Sequence, residues 1–328
     1  MSGGYRLTVV TPEGESREIK PATLTWSGSV KQFSRQLSAV LVTPNDAGLP
    51  VLPCELGTEV RLEVDGAQRF LGSVVTREKS TDAITTDVTA LDRGAGLAGN
   101  EGWYQFVNTA PEAAVAALCA DFGIPVGALA PAGVPVSRKY PGVALSKIVD
   151  SLYTLAADQN GRRYLSRFDG SGRLEVVEKP TAAALEIAPG KNLQTLRVRE
   201  DISKLQNRVA IYSDGGKLVR AEEDAESAAL YGQFQHVMIQ RDGEDLSREA
   251  QAWLEDNGLQ QTMTVECLGD PALISGNAVL LRGNATGTVG LCWIDSDTHT
   301  WKNGQYFCKL TLNFRNLMNE TKAGSEVK

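Results

Sequence analysis

Apolar and polar residues alternate along residues 1 to about 95, the spacing of half-buried strands. Arg6-Leu7-Thr8-Val9-Val10 runs into the turn Pro12-Glu13-Gly14. Leu24-Thr25-Trp26-Ser27 and Gln36 to Val42 follow. Short strands punctuated by Gly, Pro and Asp predict a barrel or a sandwich. One pattern occurs twice. In Gly57–Asp92 a strand bearing Val60, Leu62 and Val64 meets the turn Asp65-Gly66. A second strand (Phe70, Gly72, Val74) and a third (Ile84, Val88, Ala90) follow. In Gly276–Phe314 the order returns as Val279-Leu280-Leu281, the turn Gly283-Asn284, then Val289, Leu291, Trp293 and finally Phe307, Leu310, Leu312. A duplicated small β-unit suits a protein that presents one surface twice, which points to assembly rather than chemistry.

The period changes near Ala95. Thr109-Ala110-Pro111-Glu112 has capping-box spacing with Pro near the first helical position. Ala114, Ala117, Leu118 and Phe122 then recur at helical spacing until Gly123. A second helix is predicted over Leu145–Asp158. Arg163-Tyr164-Leu165 and Leu174 to Val177 flank the turn Asp169-Gly170-Ser171-Gly172, a hairpin. From Leu193 the chain returns to β, with a hairpin around Asp214-Gly215-Gly216. Helices are predicted over Glu223–Tyr231 and Leu246–Asp256. The fold class is therefore mainly β with an α+β insert. Residues 1–95 form a first barrel-sized domain, 96–192 the insert and 193–316 a second barrel-sized domain with short helices. Residues 317–328 are polar and predict a frayed tail.

The length of 328 residues suits two or three domains. With 42% hydrophobic and 22% charged residues the chain can bury cores. The net charge of −7, with no basic cluster, argues against tight nucleic-acid binding. Cys54, Cys119, Cys267, Cys292 and Cys308 lack C-x-x-C spacing and predict reduced thiols. Met1 to Val10 does not read as a signal peptide. No apolar run reaches membrane-spanning length, so no membrane insertion is expected.

Asp295, Asp297 and His299 are the first candidates for chemistry. On one strand they share a face and would suit a divalent metal. Against this, a three-residue turn Lys302-Asn303-Gly304 would pair Trp301 with Gln305 and Ile294 with Leu312. That register leaves the three polar residues on a wet face beside Lys309 and Thr311. A two-residue turn would set both Asp against Leu310 and Leu312, which costs free energy. The wet-face reading is preferred, so neither catalytic nor metal residues are assigned. His236 lies on a predicted strand and reads as structural or surface. Walker A, G-x-S-x-G, H-E-x-x-H and G-x-G-x-x-G motifs are absent, and no cofactor is expected. Asp46, Asp92 and Asp158 read as solvated loop acids. Trp26, Trp253, Trp293 and Trp301 read as packing residues, and Trp103-Tyr104 as core or interface.

Several segments resemble the XkdQ/YqbQ-like proteins of PBSX-type defective prophages. Gln206 to Asp214 is similar to the hairpin that opens their last domain. Ala225 to Gly232 is similar to a short helix ending in an aromatic and Gly. Cys267-Leu268-Gly269-Asp270 with Ser275-Gly276 resembles their step before the final strands. Asp297-Thr298-His299-Thr300-Trp301 resembles their "THxF" segment, with Trp at the aromatic position. Asp121-Phe122-Gly123-Ile124 and Leu24-x-Trp26 fit upstream. The resemblance covers most of the chain.

It implies a central baseplate hub of a contractile phage tail or phage-tail-like particle, and no enzyme. Two tail-tube-like barrels per chain in a homotrimer would make a pseudo-hexameric ring joining a sixfold tube to a threefold spike. The implied partners are the tail tube protein, the central spike, and wedge and tape-measure proteins. DNA or tape measure would pass through a neutral or acidic channel without specific binding. The implied location is the virion or tail-like particle, assembled in the bacterial host cytoplasm. Two alternatives stay open: a cell-wall hydrolase of the tail tip acting through unidentified carboxylates, and a glycan-binding β-module using Trp103 and Tyr104.

Overall fold

A computed structural model describes residues 4–11, 14–42, 54–80, 84–241 and 244–327. Pro12, Glu13 and Asp46 lie outside the described residues. Two compact units are present, one of Met1–Leu196 with Thr264–Lys328 and one of Arg197–Met263.

The chain opens with β1 (Tyr5–Val10), β2 (Ser16–Ile19), β3 (Thr23–Ser29), β4 (Gln36–Val42), β5 (Glu59–Val64), β6 (Ala67–Lys79) and β7 (Thr85–Asp92). The segment α1 (Gly94–Gly99), β8 (Glu101–Thr109), α2 (Pro111–Asp121), β9 (Val126–Leu129), β10 (Val136–Ala144), α3 (Leu145–Asn160), β11 (Tyr164–Phe168) and β12 (Leu174–Glu178) follows. Then come β13 (Leu185–Ile187) and β14 (Leu193–Asp201). The second unit holds β15 (Arg208–Ser213), β16 (Leu218–Glu223), α4 (Ala225–Tyr231), β17 (Gln235–Gln240) and α5 (Ser247–Asn257). The chain ends with β18 (Gln260–Leu268), β19 (Ala278–Gly283), β20 (Thr288–Lys302) and β21 (Gln305–Asn313).

The duplicated pattern forms two antiparallel meanders, β5–β6–β7 and β19–β20–β21. They belong to one continuous sheet with the order β14-β18-β21-β20-β3-β4-β7-β6-β5-β1-β2, and β13 pairs with β19 beside β20. Alternation sets its buried face. Leu24 and Trp26 on β3, and Leu37, Ala39 and Leu41 on β4, are buried, with partly exposed neighbours between them. Each large apolar side chain so removed from water stabilises the fold by about 1.5–3 kcal/mol.

The duplication extends to a defect. The long middle strand of each meander carries one extra residue against the last strand. In β6 it falls between Val74 and Thr76, and in β20 between Ile294 and Ser296. A bulge of this kind reverses the side chains beyond it. It also marks a change of partner in β20. Thr288–Trp293 pairs with β19, whereas Ser296–Lys302 pairs with β3. The matching stretch of β6, Thr76–Lys79, pairs among the described residues with β7, and its residues are exposed.

In the segment from α1 to β12, α3 buries Leu145, Ile148, Val149, Leu152 and Ala156 along one stripe. It packs with α2 and with β11–β12 around Tyr153, Tyr164 and Phe168. Gly161 at φ +72° ends α3 in the left-handed conformation. The capping box expected at Thr109 does not form. Ala110 is the N-cap, and Glu112 Oε2 instead accepts from the Ala132 N–H at 3.2 Å.

The polar tail is not frayed. Asn319 Nδ2 donates to Asp150 Oδ2 at 2.7 Å, and the Thr321 N–H donates to Thr154 Oγ1 at 3.2 Å. Ser325 exchanges both backbone hydrogen bonds with Lys139 at 2.9 Å. The Arg138 guanidinium donates to the carbonyls of Lys322, Ala323 and Gly324 at 3.1–3.2 Å. Met318 and Ala323 pack on the core around α2 and α3. Partners far away in sequence hold the segment, so its own polar composition does not reveal the docking. Removing three charge-assisted bonds with Arg138→Ala is expected to cost about 1–3 kcal/mol. Hydrogen exchange checks this, since the Ser325 amide should lose protection while the α3 amides keep theirs.

In the second unit β15 lies between antiparallel β16 and parallel β17. Val209, Ile211 and Ala250 form its core, with Met238, Leu246, Trp253 and Leu254 against them. Asn207 is buried and acts as a clamp. Its Nδ2 donates to Gly232 O and its Oδ1 accepts from the Phe234 N–H, both at 2.8 Å.

Candidate functional site

Asp297 and His299, expected on a wet face, are both buried. The turn after β20 has two residues. Asn303 and Gly304 adopt φ +53° and +72°, and Lys302 pairs with Gln305. This is the Asn-Gly hairpin geometry that matches strand twist. Beyond the bulge Ile294 still faces Leu312, as expected, but Asp297 faces Leu310 and His299 faces Cys308. The bulge at Asp295 reconciles these two registers. It also separates the three candidates. Asp295 Oδ2 takes Asn313 Nδ2 at 3.3 Å, away from the other two. Burial raises its carboxyl, and the charges of Lys179 and Lys31 partly offset this.

Arg35, in the link between β3 and β4, solves the problem of a carboxylate against leucines. Its Nη1 donates to Asp297 Oδ1 at 3.0 Å and its Nη2 to Asp297 Oδ2. The Ser275 N–H also donates to Oδ1, at 2.6 Å. The guanidinium lies 4.2 Å from the Trp26 ring centroid, a favourable cation–π distance. Burial pushes the Asp297 carboxyl up, but the Arg35 charge and the bonds from His299 and Arg35 outweigh it. The net result lies well below the usual carboxylate range. Arg35 is itself positioned by Asp92, whose Oδ2 accepts the Arg35 N–H at 3.0 Å and whose Oδ1 accepts the Gly94 N–H at 2.9 Å. Asp92 is thus a buried clamp and not a solvated loop acid, while Asp158 is exposed.

His299 Nδ1 lies 2.7 Å from Tyr306 Oη and 3.1 Å from Cys308 Sγ. Its Nε2 lies 3.1 Å from Leu273 O and 3.3 Å from Asp297 Oδ2. A carbonyl can only accept, so Nε2 carries the proton and Nδ1 accepts from Tyr306 O–H. Cys308, His299 and Asp297 therefore stand in the order of a nucleophile, a base and an orienting acid. Their electrostatics run against that use. Burial pushes the His299 imidazole down and the Cys308 thiol up, so the pair stays neutral. A nucleophilic cysteine needs the opposite shifts and access to substrate. Cys308 is 1% exposed and His299 is fully buried. The cluster is an internal brace between β3, the β3–β4 link, β20 and β21.

The chain belongs to the YqbQ-like family. Residues 24–313 match it. The chain is 22% identical to YqbQ of Bacillus subtilis over 309 residues, which is 90% of this chain and 93% of the relative. The fold is shared with the 43 kDa tail protein of prophage MuSo2 from Shewanella oneidensis. That likeness has a TM-score of 0.70 and 15% identity, and it covers 94% of this chain and 98% of the other. A tail protein from Neisseria meningitidis MC58 gives a TM-score of 0.65 at 14% identity, covering 94% and 96%. A component of the Escherichia coli type VI secretion system, described as structurally similar to T4 bacteriophage tail proteins, gives 0.55 at 12% identity, covering 98% and 79%.

The remaining candidates of this YqbQ-like chain have separate roles. His236 stacks on Trp253 with ring centroids 3.8 Å apart. Trp26 and Trp301 are buried. Trp103 is 61% exposed, with Lys139 Nζ 5.3 Å from its ring centroid, and Tyr104 donates to Asp121 at 2.9 Å. All five cysteines are buried free thiols. No helix among the described residues is long and apolar enough to cross a membrane. Arg35 escaped the sequence reading. Its one signal was a basic residue, the second after Lys31, in a short link between two cleanly alternating strands.

Proposed function

We propose that this chain is a structural component of a phage tail or phage-tail-like particle, the baseplate hub. In this reading residues 1–95 and 193–316 serve as two tube-like modules flanking the insert of residues 96–192, with 317–328 as its tail. Three copies make a ring of six such modules, joining a sixfold tube to a threefold spike. The observation that carries the reading is the repeated meander, with its bulge at the same place in both copies. A chain carrying one β-unit twice is what a threefold ring needs to match a sixfold tube.

The family membership and the likeness to tail proteins across the chain support the same reading. Exposed apolar residues such as Leu230, Val237 and Ile239 suit a subunit with partners. The buried, neutral state of Cys308 and His299 favours a structural role over hydrolysis. Mass photometry of the purified chain across a concentration series tests the ring. A trimer that assembles with rising concentration is expected. A chain that stays monomeric at high concentration and is absent from assembled particles would remove the reading.

A further inference from the structure

Within the first unit, a cavity of about 190 Å3 lies where the β11–β12 hairpin meets the first strands. Its walls include Gln32, Arg35, Arg69, Ser166, Arg167 and Ser275. The hairpin is seated closely. A Cβ on Gly170 would stand 2.0 Å from Gln68 O, so only glycine allows this approach. Gln68 Nε2 in turn donates to Gly170 O.

The charges around the cavity do not balance. Arg35 is compensated by Asp297. Arg167 Nε is 3.4 Å from Glu175, and Asp169 is held by Arg173 at 2.8 Å. Arg69 forms no ion pair among the described residues, and its Nε is buried without a partner. The Nε of Arg35 is likewise buried without a partner. A buried donor left unpaired costs free energy and calls for a water or an ion. Water satisfies an N–H but leaves the charge of Arg69 uncompensated. An oxyanion satisfies both, and guanidinium groups match the paired oxygens of carboxylates and phosphates.

We propose that this cavity is a binding site for a compact oxyanion, a carboxylate or a phosphate group, with Arg69 as its main charged ligand. Polar groups on Gln32, Ser166 and Ser275 line the same space. Arg69 lies on β6 and Arg167 on β11, so a bound anion ties the insert hairpin to the first strands. This inference does not depend on the proposed ring and is tested on the isolated chain.

Isothermal titration calorimetry with sodium acetate and with sodium phosphate, at constant ionic strength, provides the test. Saturable binding of one or both is expected, weakened at least tenfold by Arg69→Gln and unchanged by Arg6→Gln at an exposed ion pair. The stronger anion identifies carboxylate or phosphate as the preferred group. Should Arg69→Gln fail to fold, Arg69→Lys takes its place, because it keeps the charge but loses the fork, and weakened binding is again expected. No saturable heat with either anion, or equal binding in the Arg69 variants, would overturn the site.

Discussion

Replacing Arg35 with methionine is expected to lower the unfolding free energy by about 3–5 kcal/mol, the cost of leaving one partner of a buried ion pair alone. Asp297 is fully buried at its side chain and Arg35 is 12% exposed there, so solvent cannot take over the lost contact. Denaturant unfolding with an unchanged m-value would measure the loss. The double variant Arg35→Met, Asp297→Leu should recover most of it, because an apolar pair faces Leu310 without a stranded charge. Failure of the double variant to recover would mean that the hydrogen bonds to Ser275 and His299 matter more than the pair itself. The pH response follows from the depressed Asp297 carboxyl. A carboxylate held below its unfolded value of about 3.9 contributes stability that is present above that pH. This stability is lost as pH falls through and below it. The Arg35→Met variant should show a smaller acid loss than the wild type.

Asp150 behaves in the opposite sense. Burial raises its carboxyl to about 7, with hydrogen bonds from Asn319 and Ser166 pulling it partly back. The native chain therefore holds a proton that the unfolded chain releases near pH 4. Stability should fall as pH rises from about 4 to about 7, by up to about 4 kcal/mol, and stay low above that. Asp150→Asn keeps the shape and an acceptor for Asn319 Nδ2 but cannot ionise. It is expected to flatten that part of the profile and to be more stable than the wild type at pH 8. Thermal unfolding of both chains between pH 4.5 and 8 is the measurement. Parallel profiles would show that water reaches Asp150 and keeps it charged at little cost. The consequence reaches the tail, because Asn319 docks on this carboxylate at 2.7 Å.

Local chemistry made much of the fold legible. Asp65-Gly66 carries a two-residue hairpin because Asp65 at φ +52° and Gly66 at φ +78° fit it, and the sequence pair announces it. The stripe Leu145, Ile148, Val149, Leu152 announced α3, whose apolar face meets α2 and β10–β12. Asn303-Gly304 is the same hairpin signal. Read from the sequence alone, that turn carries a cost, because it sets Asp295 and Asp297 against Leu310 and Leu312. The cost holds for an isolated hairpin; in the fold Arg35, far away in sequence, pairs with Asp297, and a bulge at Asp295 turns that residue away.

By itself, the sequence determined the strand and helix periods and the repeated meander. These depend on residues near one another in the chain, where turn chemistry and side-chain spacing act directly. Only the tertiary structure decided which strand fills the open side of each long middle strand. In the second copy β3 fills it, so Asp297 and His299 are shut away from water and need Arg35, Ser275, Leu273 and Tyr306 as partners. In the first copy Arg77 and Lys79, beyond the matching bulge, remain exposed. The two stretches obey one local pattern. The cost of burying a charge without a partner, a quantity set by distant residues, separates their environments.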